Sequence, residues 1–210
     1  MKYRLFYAEG TASKGIRIIL EEVGANYELI PATTDRSKPR SKEHIKLNPN
    51  GWVPVLTWGK SSMYEAVAIT IFLCDRYPKS ELAPASNSDS RALFLQTLVY
   101  FASSVQTAFQ LDYYPDRFSD DKQCELSAQR RGHRRLRETW NIVDQQISAN
   151  RFVLGDKFSA ADIYLFMLTT WLKPERGQPS VSEFPNVERI ADKVFERKST
   201  QLVYPNYKKL

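Results

Sequence analysis

The chain has 210 residues, enough for one large domain or two modest ones, and its 42% hydrophobic and 26% charged residues are an ordinary balance for a soluble globular protein. Its net charge of +6 admits anionic partners. No apolar run approaches the ~18 residues of a membrane span, and the opening Met1-Lys2-Tyr3-Arg4-Leu5-Phe6-Tyr7 has neither the apolar core nor the small-residue cleavage site of a signal peptide. A cytoplasmic protein is therefore expected. The cysteines, Cys74 and Cys124, form no C-x-x-C pair, and there are two histidines, His44 and His133. No disulfide framework or metal site is expected from them.

The first 80 residues alternate strand and helix signals. Tyr3 to Tyr7 reads as a strand and Gly10 to Gly15 as a turn. Ile16, Ile19, Leu20 and Val23 repeat at helical spacing, and Gly24 stops that helix. Tyr27 to Ile30 is a second strand. Thr33 to Lys46 is polar and holds a short helix near its end. Asn48-Pro49-Asn50-Gly51 is turn chemistry. Val55 to Trp58 begins as a strand just after a proline, and a hairpin at Gly59-Lys60 leads to Ser62-Met63-Tyr64. Glu65 to Tyr77 is apolar nearly all round, which predicts a buried helix, and Pro78 ends it. The order is βαβαββα, that of a thioredoxin-like α/β domain over residues 1–79, followed by a polar linker, 79–89.

Residues 90–210 read as an all-α helical bundle. Leu98, Phe101, Ala102, Val105 and Phe109 form one apolar stripe, Ser159 to Leu172 another, and Val187, Ile190, Ala191, Val194 and Phe195 a third. Arg130, Arg131, Arg134, Arg135 and Arg137 cluster on a helix whose Leu136, Trp140, Val143 and Ile147 make an apolar stripe. That pattern reads as a solvated basic face, and no nucleic-acid reader motif accompanies it. The tail from Thr200 to Leu210 either packs back or stays loose.

Two stretches carry a family resemblance. Asn48-Pro49-Asn50-Gly51-Trp52-Val53-Pro54-Val55-Leu56, followed by Glu65-Ala66, resembles the N-P-x-G-x-V-P-x-L…E-S pattern of glutathione transferases. Phe158-Ser159-Ala160-Ala161-Asp162-Ile163-Tyr164 is similar to the helix-start motif of their second domain, and the details lie nearest bacterial beta-class members. The resemblance implies a glutathione-dependent detoxification enzyme, with glutathione as co-substrate, no metal, a small hydrophobic electrophile as second substrate, and a homodimer. A non-catalytic glutathione or hydrophobic-ligand binder, or a protein-docking member of the same fold, is the alternative.

The resemblance also distributes roles. A cis Val53–Pro54 bond would turn the Val53 main-chain N–H and C=O outward to pair with the cysteinyl backbone of glutathione, strand-like. Glu65 and Ala66 take the γ-glutamyl end at a helix start. Ala66 stands where the family keeps a hydroxyl. Trp52, Pro54, Lys38 and Gln106 complete the expected glutathione site, with Arg36 a further cation for the glycine carboxylate. Beta-class members place a cysteine where this chain has Ala12, and a His-Lys pair where it has Gln106 and Thr107.

Thiol activation remains. A free thiol has a pKa of ~8.5, so only a few per cent is thiolate at pH 7. Ser13 lies four residues before Arg17, the spacing of serine-using theta-like members, and is the first candidate. Thr11 and Tyr7 follow; counting back from Arg17 puts Phe6, not Tyr7, at the family's tyrosine position. Ser13 as a simple helix cap is the competing reading. Phe109, Tyr113, Tyr114, Tyr164 and Trp171 are the candidates for the electrophile's pocket. Ser159 and Asp162 are expected to be structural, as a capping box.

Overall fold

In a computed structural model, residues 1–207 are described. They form two compact units, Met1–Ala85 with Arg197–Tyr207, and Ser86–Glu196.

The first unit contains β1 (Lys2–Tyr7), α1 (Ser13–Glu22), β2 (Asn26–Pro31), α2 (Lys42–Leu47), β3 (Val55–Trp58), β4 (Ser61–Tyr64) and α3 (Ala66–Arg76). Its sheet has the order β2-β1-β3-β4. β1 and β2 are parallel, as a helical crossover through α1 requires. β3 runs antiparallel to β1, and β4 to β3. Leu5 and Phe6 of β1, Val55 and Leu56 of β3, Ile16, Ile19 and Leu20 of α1, and Ile69 and Leu73 of α3 are buried together as the core. α1 ends at Gly24, whose φ of +64° suits a residue without a side chain.

Two expectations are corrected here. α3 is not buried all round: Ala66, Ile69, Thr70, Leu73 and Cys74 are buried, whereas Val67, Ile71 and Phe72 are half-buried and Ala68 is exposed. Composition measures how apolar a helix is, but not how many sides are covered. The second domain, expected over residues 90–210, also loses its end. From Arg197 the chain belongs to the first unit, where α9 (Lys198–Val203) packs on α1. Glu22 fixes that return: its carboxylate accepts from Arg197 Nε at 2.7 Å and Nη2 at 2.6 Å, and from the Ser199 hydroxyl. Burial pushes the Glu22 carboxyl up, but Arg197 and Ser199 outweigh it and leave it below its ordinary value. The tail reading extended to Leu210, and residues 208–210 lie outside the described residues.

The second unit is helical: α4 (Ser90–Tyr100), α5 (Gln106–Tyr113), α6 (Lys122–Ile147), α7 (Ala160–Thr169) and α8 (Pro185–Phe195). A π-helical turn, Phe101–Val105, joins α4 to α5. Contrary to the expectation that no apolar run approaches a membrane span, the resulting helix, Ser90–Tyr113, has 24 residues and a mean hydropathy of 1.2 over its most apolar stretch, the length and composition of one, because the π-helical turn joins two shorter apolar stretches end to end. Within the unit its Phe94, Leu98, Phe101, Val105, Ala108 and Phe109 are buried as core. All ten residues of α7 are buried, so it is the central helix. α5 and α6 touch at Gly132, where a Cβ would stand 3.0 Å from Leu111 Cβ and 3.1 Å from the Ala108 carbonyl oxygen.

The α7 start behaves as expected. Asp162 accepts from the Ser159 N–H at 2.7 Å, the Ser159 hydroxyl at 3.0 Å and the Val153 N–H at 2.8 Å, and the reciprocal capping box is present. Burial pushes the Asp162 carboxyl up to about 6 against those donors. On α6, Leu136, Trp140, Val143 and Ile147 are buried beneath the arginine face.

Candidate functional site

The strand registers place four loops at one end of the sheet. Phe6 pairs with Val55, and Val55 with Tyr64. The β1–α1 turn, Val53–Pro54 before β3, and Glu65 after β4 therefore leave neighbouring strands at the same end. Tyr7 pairs with Pro31 on the other side, and the Tyr7 carbonyl accepts from Ala32 N at 2.8 Å, which adds the loop after β2. β1 and β4 are two strand spacings apart, ~10 Å, close to the reach of three extended residues at ~3.3 Å each.

The Val53 segment is held from beneath. The Trp52 carbonyl accepts from Asn48 Nδ2 at 2.9 Å and lies 3.0 Å from His44 Nε2. Arg40 Nε donates to the Gly51 carbonyl at 3.2 Å. Gly51 has a φ of +66°, and a Cβ there would stand 3.0 Å from Arg40 Cγ and Ile45 Cδ1. The Val53–Pro54 bond is cis, as expected. Among the described residues, no hydrogen bond takes up the Val53 main-chain N–H or C=O. Trp52 is exposed and Pro54 buried.

Glu65 is exposed and has a φ of +74°, a region that residues with a Cβ enter at a cost of ~1–3 kcal/mol. It stands at the N-terminus of α3 without a side-chain cap bond. It is thus the residue that immediately precedes the first-turn N–H groups starting at Ala66. Lys38 is exposed, with Nζ 3.5 Å from Asp35 Oδ2. An open cavity of about 590 Å³ adjoins the turn on the β2 side, lined by Ala8, Glu9, Thr33, Asp35, Arg40 and His44 among others.

The β1–α1 turn separates the three thiol-activating candidates. Ser13 is fully buried. Its Oγ accepts from Ala8 N at 3.2 Å, is 3.1 Å from the Ala8 carbonyl oxygen, and lies 2.7 Å from Thr11 Oγ1. Thr11 is only half-buried; its Oγ1 is 2.8 Å from the same carbonyl and accepts from Ser13 N at 3.3 Å. Two hydroxyl protons therefore converge on one carbonyl, and Ser13 can give its proton to Thr11 instead. Tyr7 donates its phenolic proton to Glu9. Burial, reinforced by Glu9, pushes Tyr7 up to about 12, so it is a neutral phenol with its proton committed. α1 has no side-chain cap at Ala12 and no acid in its first turn, which leaves the positive end of its dipole uncompensated by its own residues.

In the second unit, Gln106 is half-buried and its Oε1 accepts from the Tyr164 hydroxyl at 2.9 Å. Phe109 and Tyr164 are core residues rather than pocket walls: Phe109 meets Trp171 edge-on at 5.6 Å, and Tyr164 stacks on Phe101 at 6.1 Å. Aromatic side chains on the covered side of a helix fill the core first. Tyr113 donates to the Trp171 carbonyl at 2.7 Å, and Tyr114 lies under Arg117 at 4.0 Å. Sequence reasoning missed Glu9, Lys14, His44 and Asn48, which support the turn and the Val53 loop. The polar Asn48-Pro49-Asn50-Gly51 stretch was the one available signal for Asn48. Among the described residues, no group of three or more His, Cys, Asp or Glu side chains is placed to hold a metal.

Comparison with known proteins gives the family of both domains. The family model for the glutathione S-transferase N-terminal domain matches residues 1–74, and that for the C-terminal domain matches residues 97–198. Glutathione S-transferase GstA of Escherichia coli O157:H7 is 29% identical over 172 residues, covering 80% of this chain and 81% of that protein. A zeta-class glutathione S-transferase of Euphorbia esula is 27% identical over 170 residues, covering 78% of this chain and 73% of its own length. Among solved structures, the ternary complex of BphK, a bacterial glutathione S-transferase, superposes with a TM-score of 0.84 at 27% identity, covering 96% of this chain and 98% of that one. A sphingomonad glutathione S-transferase complexed with glutathione gives 0.83 at 25% identity, covering 96% and 97%. With both domains matched in order on the expected fold, the chain belongs to the glutathione S-transferase family.

Proposed function

We propose that the protein is a cytoplasmic glutathione transferase that adds the glutathione thiolate to a small hydrophobic electrophile, working as a homodimer. The observation that carries this reading is the register-imposed row of the β1–α1 turn, Val53 and Glu65 at one end of the sheet. A tripeptide laid across that row meets a hydroxyl donor, an unpaired main-chain N–H and C=O, and a carboxylate beside a helix N-terminus.

In this reading the γ-glutamyl ammonium pairs with Glu65 and its carboxylate takes the first-turn N–H groups of α3. Val53 pairs strand-like with the cysteinyl backbone. Lys38, with Arg36 nearby in sequence, serves the glycine carboxylate. Ser13 is too buried to touch sulphur, so the half-buried Thr11 meets the thiol. Ser13 donates to Thr11, and Thr11 turns its proton from the Ala8 carbonyl to the sulphur. A charge-assisted hydrogen bond of this kind favours thiolate over thiol. The positive end of α1 acts in the same direction. The thiol proton passes to solvent; the thiolate then attacks an electrophilic carbon, forming a C–S bond as the leaving group departs with the electron pair of the bond that breaks.

The test is conjugation of glutathione to chlorodinitrobenzene by the full-length protein. Measurable turnover that falls on Thr11→Ala, with glutathione still bound, supports the reading. A parent that binds glutathione but shows no turnover with this or other electrophiles supports the second reading, a non-catalytic binder. Ala66, where relatives keep a hydroxyl, and the buried Ser13 favour that alternative.

A further inference from the structure

One cation beside the turn has no role in the chemistry above. Lys14, in the first turn of α1, is 8% exposed. Its Nζ is 2.8 Å from Glu9 Oε2 and 3.9 Å from the centroid of the Tyr204 ring. Tyr204 sits in the C-terminal segment that returns to this unit and is anchored seven residues earlier by the Arg197–Glu22 pair. Glu9 in turn accepts from Tyr7, the last residue of β1, and lines the cavity beside the turn. Arg17 is a further cation near this cluster, 5.8 Å from the Tyr7 ring centroid. Asp35, Arg40 and His44 share the cavity wall with Glu9.

A lysine stem is flexible, and an ammonium on a helix surface ordinarily samples several positions in water. Here a carboxylate and an aromatic face from two other segments hold it at one place, next in sequence to Ser13. The arrangement makes it a fixed charge, and the pair Lys14–Glu9 is a dipole set against the turn.

We propose that Lys14 is a positioning residue for thiol activation, clamped between Glu9 and the Tyr204 ring so that the C-terminal segment sets the charge balance at the β1–α1 turn. The proposal rests on glutathione binding as described above. Neutralising Lys14 removes the ion-pair partner of Glu9, leaves a net negative change at the turn and raises the pKa of the bound thiol. Neutralising Glu9 leaves the Lys14 cation uncompensated and lowers it. A part that merely props up the fold would move both variants the same way.

The experiment titrates the ultraviolet thiolate absorbance of glutathione bound to the full-length protein, with affinity measured by calorimetry. Lys14→Met is expected to raise the bound-thiol pKa by about half a unit, roughly a threefold loss of thiolate near neutrality, and Glu9→Gln to lower it by a similar amount. Tyr204→Leu shifts it upward by less, and Tyr204→Phe, which keeps the ring, restores the parent value. If Lys14→Met does not fold, the exposed Glu9→Gln and the charge-preserving Lys14→Arg carry the test. Shifts of one sign for Lys14→Met and Glu9→Gln, or none, in a parent that binds glutathione as thiolate would overturn this inference alone. A parent that binds no glutathione overturns the glutathione reading and the inference with it.

Discussion

Two buried hydroxyl networks open helices in this molecule, one in each unit, and they differ in what they leave over. At the start of α7, Asp162 collects the Ser159 hydroxyl and the N–H groups of Ser159 and Val153. Every proton has a charged acceptor, and the network has nothing to offer a ligand. At the start of α1, Ser13 and Thr11 have no carboxylate and share the Ala8 carbonyl between two hydroxyl protons. One proton is redundant, and it belongs to the less buried hydroxyl. The first arrangement fixes a fold; the second keeps a donor available for chemistry.

The largest effect should come from the saturated network. Asp162→Ala strands buried donors at ~1–3 kcal/mol each, so a loss of about 3 kcal/mol in urea unfolding is expected. Glutathione affinity of the folded fraction should not change. If affinity collapsed with stability untouched, the structural assignment would be wrong. Next is Thr11→Ala, expected to lower kcat/KM about 100-fold, the scale for losing one donor to a developing anion. Thr11→Ser should recover most of it, because the hydroxyl returns. Ser13→Ala sharpens the contrast. Thr11 keeps its own proton, so a loss of about tenfold is expected, smaller than for Thr11→Ala. A larger loss at Ser13 would reverse the roles assigned to the two hydroxyls.

The smallest effect concerns a second carboxylate of the helical unit. Asp112 accepts from Arg176 Nε at 3.1 Å and Gln178 Nε2 at 2.5 Å, and lies 3.0 Å from His133 Nε2. Burial pushes its carboxyl up, but Arg176, Gln178 and His133 outweigh it and hold it below its ordinary value. A carboxyl whose pKa is lowered by folding adds stability above the unfolded value of ~3.9, and that stability is lost as pH falls through the lower, folded value. Asp112→Asn should therefore flatten the fall in unfolding free energy below about pH 4. An unchanged acid slope would show that another group dominates it.

Much of the fold was legible because its signals are local. Alternation and 3.6-residue spacing located the elements, and Gly24 marked a helix end that needed positive φ. The Asn48–Leu56 motif located the Val53 loop, and Ser159 with Asp162 located the α7 start. Site details were less legible because they depend on facing. Spacing put Thr11, Ser13 and Tyr7 near one turn, but only the backbone path shows that Ser13 folds back on Ala8 while Tyr7 reaches Glu9. The contact between Lys14 and Tyr204 joins residues far apart in sequence and has no motif. The aromatic stripes gave the right helices and misjudged Phe109 and Tyr164, since periodicity finds the covered side of a helix without saying whether protein or ligand covers it.

The most direct measurement is a crystal structure with glutathione bound. The account predicts the sulphur within hydrogen-bond reach of Thr11 Oγ1, with Ser13 behind it. It also predicts the cysteinyl backbone paired with Val53 and the γ-glutamyl group at Glu65 and the start of α3. Glutathione bound with its sulphur turned away from Thr11, or no glutathione at this end of the sheet, would contradict it.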